Sequence, residues 1–300
     1  MNLKFWQNKN VLITGYEGFL GSHLTKTLLN LKANVWGLDI LVRRRKTILS
    51  KNDFKKINII KGNVEKFPLI LKTIQKNKIE VIFHLAAKSL VEESLRQPIK
   101  TFSTNIKGTW NILEATRLTP YIKSIIIASS DKAYGEQKKF PIKEDQSLKG
   151  SYPYDVSKSC TDLIAQSYAK TYNLPVVIAR CGNIYGPGDF NFSRIIPDTI
   201  RSALFNRPLF IRSNGKFIRD YVYIDDIIKG YLLLGENIQK LNLKGEAFNF
   251  GNEEPISVIG VVRKIYNFLN KKPNYVILNR ADFEIRKQYL DSKKVRRILG

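Results

Sequence analysis

The strongest constraint on the fold is a glycine-spaced turn near the N-terminus, set between an apolar run and an amphipathic segment. Residues 11–15 read VLITG, a buried strand, and lead through Gly15-Tyr-Glu-Gly18-Phe-Leu-Gly21 into a helix from about Phe19 to Asn30. One glycine makes the tight turn, one lets backbone N–H groups approach a pyrophosphate, and one lets helix and strand pack closely. Further apolar runs, too dense to alternate, follow at 34–39, 57–63, 81–87, 124–130 and 176–180, with helical stretches between. Such strands belong in a parallel sheet covered on both faces. The rhythm predicts an α/β, doubly wound parallel sheet.

Beyond Arg180 that rhythm breaks into loop-rich sequence. We therefore expect a dinucleotide-binding domain over 1–180, rejoined by a strand near 247–252, and a mostly substrate-binding smaller lobe over 181–300. A basic helix is expected to end the chain, without a further tail. Hydrophobic residues make up 43% of the 300, so no disulfide or metal is needed to hold a core. Cys160 and Cys181 lie 21 residues apart with no CxxC motif, which points to a reducing compartment and no metal site. The polar N-terminus holds only a four-residue apolar run, and no window reaches the length of a membrane span. A soluble, cytoplasmic protein with no membrane partner is expected. The net charge of +24 raises the question of nucleic acid, but the basic residues are spread along the chain, with local runs at 43–46 and 293–297. No nucleic-acid module accompanies them, so steering of an anionic substrate is the expected consequence.

Asp39 ends the second strand, where a carboxylate accepts hydrogen bonds from the adenosine ribose and repels a 2′-phosphate. NAD is thus expected over NADP, although Arg43 and Arg44 close behind could serve the phosphate. Tyr154-Asp-Val-Ser-Lys158 is a YxxxK pattern, which puts a phenol and an ammonium on one helix face. The ammonium, with the cofactor's positive charge, should lower the tyrosine pKa and make it a base. His84, inside an apolar run, reads as a hydrogen-bonded core residue rather than a catalyst.

From Val11 to Leu299 the chain resembles the extended short-chain dehydrogenase/reductases, specifically the NAD-dependent epimerase/dehydratase family with its Rossmann domain. The resemblance rests on the glycine spacing, on HLAA at 84–87, on Asn105, Gly108 and Thr109 of a TNIKGT helix, and on the YxxxK pair. It implies cofactor contacts from Gly15, Gly18, Phe19, Leu20, Gly21, Asp39, Asn63, Val64, Leu85, Ala86, Ala87, Asn105, Tyr154 and Lys158. Asn63 departs from the family's usual Asp beside the adenine. The family places a Ser or Thr at the end of the strand before YxxxK, here Ser130 with Ser129 in reserve.

Asp131 and Lys132 follow that serine. An acid there resembles nucleotide-sugar 4,6-dehydratases, and Lys in the next place resembles the CDP-glucose 4,6-dehydratases and certain UDP-N-acetylglucosamine dehydratases. The implied reaction is transient oxidation at carbon 4, elimination of the 6-hydroxyl and hydride return, with Ser130, Asp131, Lys132, Tyr154 and Lys158 as catalytic residues. Asn183 in RCGNIYGPG, Arg194 in RIIP, Arg219 in IRDY, and Ser89 and Ser130 are implied to hold a nucleotide-diphosphate sugar. The alternative is a nucleotide-sugar 4-epimerase, which needs no acid at 131. A binding protein that merely kept the fold would have no use for an activated phenol. The family also implies a homodimer through the helices near 98–118 and 153–172.

Overall fold

A computed structural model describes residues 2–44 and 46–300; Arg45, within the first basic run, lies outside them. Seven parallel strands form the central sheet: β1 (Asn10–Thr14), β2 (Asn34–Asp39), β3 (Ile57–Lys61), β4 (Val81–His84), β5 (Ser124–Ser130), β6 (Val176–Cys181) and β7 (Ala247–Phe250). Their order is β7-β6-β5-β4-β1-β2-β3. The chain reverses direction of winding at β1, between β2 and β4. A crevice opens there beyond the carboxyl ends of the strands, the place where open α/β sheets bind ligands. β3 and β4 stop at Lys61 and His84, short of the expected 63 and 87, and the freed segments line that crevice.

The helices that cover the sheet are α1 (Phe19–Asn30), α2 (Phe67–Lys76), α3 (Gly108–Arg117), α4 (Pro153–Tyr172) and α6 (Ile224–Asn237), with α5 (Ile195–Leu204) and α7 (Val258–Phe268) in the C-terminal part. Side chains alternate along each strand, so every strand feeds two cores. Val11 and Ile13 join Leu24, Leu28, Ile126 and Tyr231 on one side. Leu12 joins Ile74, Ile112, Ile125 and Ile127 on the other. Full burial of each such side chain contributes about 1.5–3 kcal/mol. That double burial is why these strands read as unbroken apolar runs.

The C-terminal part is built from short pairs of strands: Tyr221–Tyr223 with Asn183–Tyr185, Ile256–Ser257 with Ile218–Arg219, and Tyr275–Ile277 with Leu209–Ile211. It has its own small core of Ala203, Leu209, Ile211, Val262 and Tyr266. The stretch from 286 to 291 then runs back along the molecule: Ile218 N–H donates to Arg286 at 2.9 Å, and Ile142 N–H to Tyr289 at 3.0 Å. Among the described residues no helix is long and apolar enough to cross a membrane.

Candidate active site

One cavity of about 1560 Å³ extends from the glycine turn across the carboxyl ends of the strands to the C-terminal part. Sites for drug-sized ligands occupy roughly 300–1,000 Å³, so this one has room for a dinucleotide and a second nucleotide together. At its floor, Gly15 N–H donates to Leu38 across the β1–β2 seam at 2.8 Å, and Gly18 N–H donates to Gly15 at 3.0 Å. Gly15 has φ +72°, the left-handed region that glycine enters freely. A Cβ on Gly21 would sit 2.1 Å from the Gly15 carbonyl oxygen. No side chain caps α1, which leaves its first N–H groups and their partial positive charge facing the cavity.

Asp39 lies at the edge of this floor, buried, with Arg44 on its Oδ1 at 2.9 Å. Its Oδ2 is buried and has no partner among the described residues. An acceptor left open beside a glycine cradle is what the ribose hydroxyls of a dinucleotide need, and these residues fit one. Glu17 carries no signal in the sequence beyond its place in the turn. It is buried, and its carboxylate accepts the backbone N–H groups of Arg43 at 2.6 Å and Arg44 at 2.5 Å. The glycine turn thereby holds the loop after β2.

Behind the HLAA segment the protons can be assigned. Thr109 donates its only hydroxyl proton to the Asn105 carbonyl at 2.6 Å, so His84 Nε2 must donate to Thr109 Oγ1 at 3.2 Å. His84 Nδ1 is then bare and accepts from Thr14 Oγ1 at 2.8 Å. Thr14 Oγ1 in turn accepts the N–H groups of Leu85 and Ala86, at 3.2 and 3.1 Å. Burial and the Lys158 charge push His84 down to about 3, so it stays neutral and structural. Asn105 is placed differently from the expected cofactor contact. Its amide is used on Lys88 N–H (2.7 Å), the Lys88 carbonyl (3.1 Å) and Ser157 Oγ (2.9 Å), which pins the loop after β4 to α4. It does not line the cavity, whereas every other expected site residue does.

Further along the cavity the end of β5 and the first turns of α4 come together. Tyr154 and Lys158 are buried on one face of that helix, and Lys158 Nζ donates to the Ala128 carbonyl at 2.6 Å. Burial pulls Lys158 down to about 8. The expectation of a lowered tyrosine pKa is not met by the protein's own groups. Burial pushes the Tyr154 phenol up, and the Ser130 hydroxyl draws it only partly back. The sequence indicates the YxxxK spacing but not the depth of burial, which is the largest effect on the phenol.

Ser130 Oγ donates to Asp131 Oδ1 at 3.0 Å and accepts Lys132 N–H at 3.2 Å. Asp131 is buried, and Lys132 Nζ stands 3.4 Å from both its carboxylate oxygens. Burial lowers the Lys132 pKa, opposed by Asp131. Asp155, unremarked inside the YxxxK pattern, also lines the cavity. Burial drives its carboxyl up to about 6 against the pull of Lys132, and its Oδ2 is buried without a partner among the described residues.

On the opposite wall Arg219, nearly buried, donates to the Ile218 carbonyl at 2.9 Å and faces Glu284 at 3.5 Å. Arg212 reaches the same carboxylate at 3.9 Å. Arg194 pairs with Asp189 at 3.0 Å and lies over the Phe19 ring of the glycine turn, which joins the two walls. Asn183 N–H donates to the Asp220 carbonyl at 3.0 Å, and Ser89 sits at the exposed rim.

Residues 11–251 match the model of the NAD dependent epimerase/dehydratase family. The chain is 32% identical over 277 residues to the CDP-glucose 4,6-dehydratase of Salmonella typhimurium, an alignment covering 87% of this chain and 76% of that protein. It spans 62% and 44% of the length of two longer dehydratase relatives. Among solved structures it is similar to the dTDP-glucose 4,6-dehydratase of Bacillus anthracis in complex with NAD. There the identity is 27% and the TM-score 0.84, over 96% of this chain and 89% of that one. It is also similar to the UDP-N-acetylglucosamine 4-epimerase of Methanobrevibacter ruminantium, at 25% identity and TM-score 0.88, over 98% and 93% of the two chains. Matched over most of its length, the chain belongs to the NAD dependent epimerase/dehydratase family and is an NAD-dependent enzyme.

Proposed function

We propose that this enzyme is a nucleotide-sugar 4,6-dehydratase, forming a 4-keto-6-deoxy sugar nucleotide. The observation that carries the reading is the buried Asp131–Lys132 pair hydrogen-bonded to Ser130 in the same cavity as Tyr154 and Lys158. An epimerase needs the last three of these groups but has no use for a buried acid beside them. The CDP-glucose 4,6-dehydratase relative supports the same reading.

NAD, held by Gly15, Gly18, Gly21 and Asp39, supplies the oxidising and then the reducing equivalents of the cycle. Tyr154 takes the proton of the sugar's 4-hydroxyl, with Ser130 aligning that hydroxyl and Lys158 stabilising the phenolate. Because burial, with Asp131 and Asp155, raises the phenol, this step depends on positive charge close to it. The 4-ketone then acidifies the proton on carbon 5. With the pair's shared proton on Asp131, neutral Lys132 takes the carbon-5 proton while Asp131 gives its own to the 6-oxygen: the C5–H and C6–O bonds break, a C5–C6 double bond forms, and water leaves. Lys132 then returns its proton to carbon 5 as carbon 6 is reduced. Arg219, Arg194 and Asn183 hold the diphosphate end, the arginines by paired charge-assisted hydrogen bonds.

Incubation of the purified chain and NAD with CDP-glucose, dTDP-glucose, UDP-N-acetylglucosamine and GDP-mannose tests the reading. A product lighter by one water is expected from one of them. Asp131→Asn should keep ketone formation and lose elimination by about a hundredfold, the usual scale of general acid catalysis. Epimerisation of one sugar, with full turnover kept in that variant, would establish the second reading, a 4-epimerase, which the similarity to the solved epimerase favours.

We also propose a homodimer through the helices at 98–117 and α4. Ile99 and Leu163 there are 81% and 54% exposed, which a shared helix bundle would cover. Leu163→Glu should yield monomers by analytical ultracentrifugation.

A further inference from the structure

Lys132 is held by a residue 156 positions further along the chain. Gln288 is fully buried, and its amide spans the dipeptide that follows Ser130. Its Nε2 donates to the Asp131 carbonyl at 2.7 Å, and its Oε1 accepts from the Lys132 ammonium. Only one orientation of the amide satisfies both contacts, since a carbonyl has no proton to give and an ammonium cannot accept. The backbone around it is anchored as well: Gln288 N–H donates to Ile218 at 3.1 Å and Asp291 N–H to Ile142 at 2.8 Å.

The charges around this ammonium are mixed. Asp131 stands at 3.4 Å through both oxygens, longer than the roughly 2.7–2.9 Å of a strong charge-assisted bond. Asp155 on α4 attracts it from a distance, and Arg219 on the neighbouring strand repels it. The closest partner is therefore the neutral amide. A carboxylate at position 288 would lock the proton on Lys132, whereas an amide fixes the position of the nitrogen and leaves the proton exchangeable.

We propose that Gln288 is a positioning residue that sets Lys132 beside Asp131 for the elimination step and, by being neutral, leaves Lys132 able to accept and release its proton. This deepens the dehydratase reading and rests on it. Gln288 touches neither sugar nor cofactor in this role; it acts through Lys132.

The titration of Lys132 is measured without substrate, by pH-dependent acetic-anhydride labelling and mass spectrometry of the whole chain. Gln288→Glu should move the Lys132 midpoint up by about one pH unit or more, because an opposite charge in contact favours the ammonium. Gln288→Met, close in volume and uncharged, should speed labelling of Lys132 and lower its midpoint, since the ammonium loses its anchor. An unmoved midpoint in either folded variant, with circular dichroism as the check on folding, overturns the proposal. With CDP-glucose and NAD, Gln288→Glu should keep KM and ketone formation within about threefold and slow elimination by about tenfold or more. Equal loss in both steps would reduce Gln288 to a structural part. If the unsubstituted enzyme dehydrates none of the four nucleotide sugars, the dehydratase reading fails, while the labelling still decides whether Gln288 governs Lys132.

Discussion

The two walls of the cleft are built of different material. At the glycine turn the wall is backbone: Gly15, Gly18 and Gly21, with uncapped N–H groups of α1, all within one short turn. At the other end of the cavity the lining is side chain: Asp131, Lys132, Asp155, Arg194 and Arg219, backed by Gln288, from segments spread over more than half the chain. A backbone wall has no atoms to spare and no rotamers to change, so it recognises the constant part of a ligand. A side-chain wall can be re-equipped residue by residue, which suits it to the reaction and substrate choice we propose for it.

The sharpest way to break this comparison is to add one methyl group to the backbone wall. Gly21→Ala puts a Cβ 2.1 Å from the Gly15 carbonyl oxygen, and both partners are main chain. We expect NAD affinity by calorimetry to fall by more than about a hundredfold, about 3 kcal/mol, in a protein that still shows native circular dichroism. Retention within about tenfold would mean that the turn yields, and the contrast between the walls would be lost.

Next in size is Arg219→Ala on the other wall. Affinity for CDP should fall by about ten- to a hundredfold while NAD affinity stays unchanged, since one arginine fork contributes about 1.5–3 kcal/mol to a charged partner. Arg219→Lys should recover only part, because a lysine cannot reproduce the fork. If NAD affinity falls as well, the two walls are not independent.

A smaller effect should separate the cofactor wall from its support. Glu17→Gln weakens the acceptor for the Arg43 and Arg44 N–H groups and loosens the loop that holds Arg44 on Asp39. NAD affinity should drop by about three- to tenfold, about 1 kcal/mol, and the preference for NAD over NADP should narrow as Arg44 becomes free for a 2′-phosphate. A wider preference would show that Arg44 excludes the phosphate rather than attracting it.

The same division decides how much of the molecule is legible in its sequence. Strands buried on both faces announce themselves as unbroken Val, Ile and Leu runs, and the glycine spacing and the Tyr154–Lys158 pair are local patterns. Glu17 and Gln288 have no such pattern: each matters because the fold brings distant donors to it. For Asn105 the sequence points to the cofactor, but helix periodicity indicates only a face, not which neighbour claims the amide. Lys88 and Ser157 claim it. For Tyr154 the neighbours are legible and the burial is not: the protein's own groups push its pKa up, and the lowering that the sequence suggests rests on the cofactor's charge as well.

The smallest effect on ligand affinity is expected at Asp155, where stability tests whether the side-chain wall is held at a cost. Asp155 is buried in α4 with one oxygen unpartnered, and its carboxyl is pushed up to about 6, above its ordinary value of 3.8. A raised carboxyl binds its proton more tightly in the folded state than in the unfolded one. Its favourable contribution is thus present below the unfolded pKa and lost as pH rises through about 6. Asp155→Asn removes that titration. The variant should be more stable than the parent above about pH 7, by up to about 3 kcal/mol, with the gain gone below about pH 4. Thermal melts at both ends of that range measure it, and NAD affinity should not change. A variant less stable at neutral pH would mean that the attraction of Lys132 outweighs burial, and that this carboxylate is held in place by its charge rather than in spite of it.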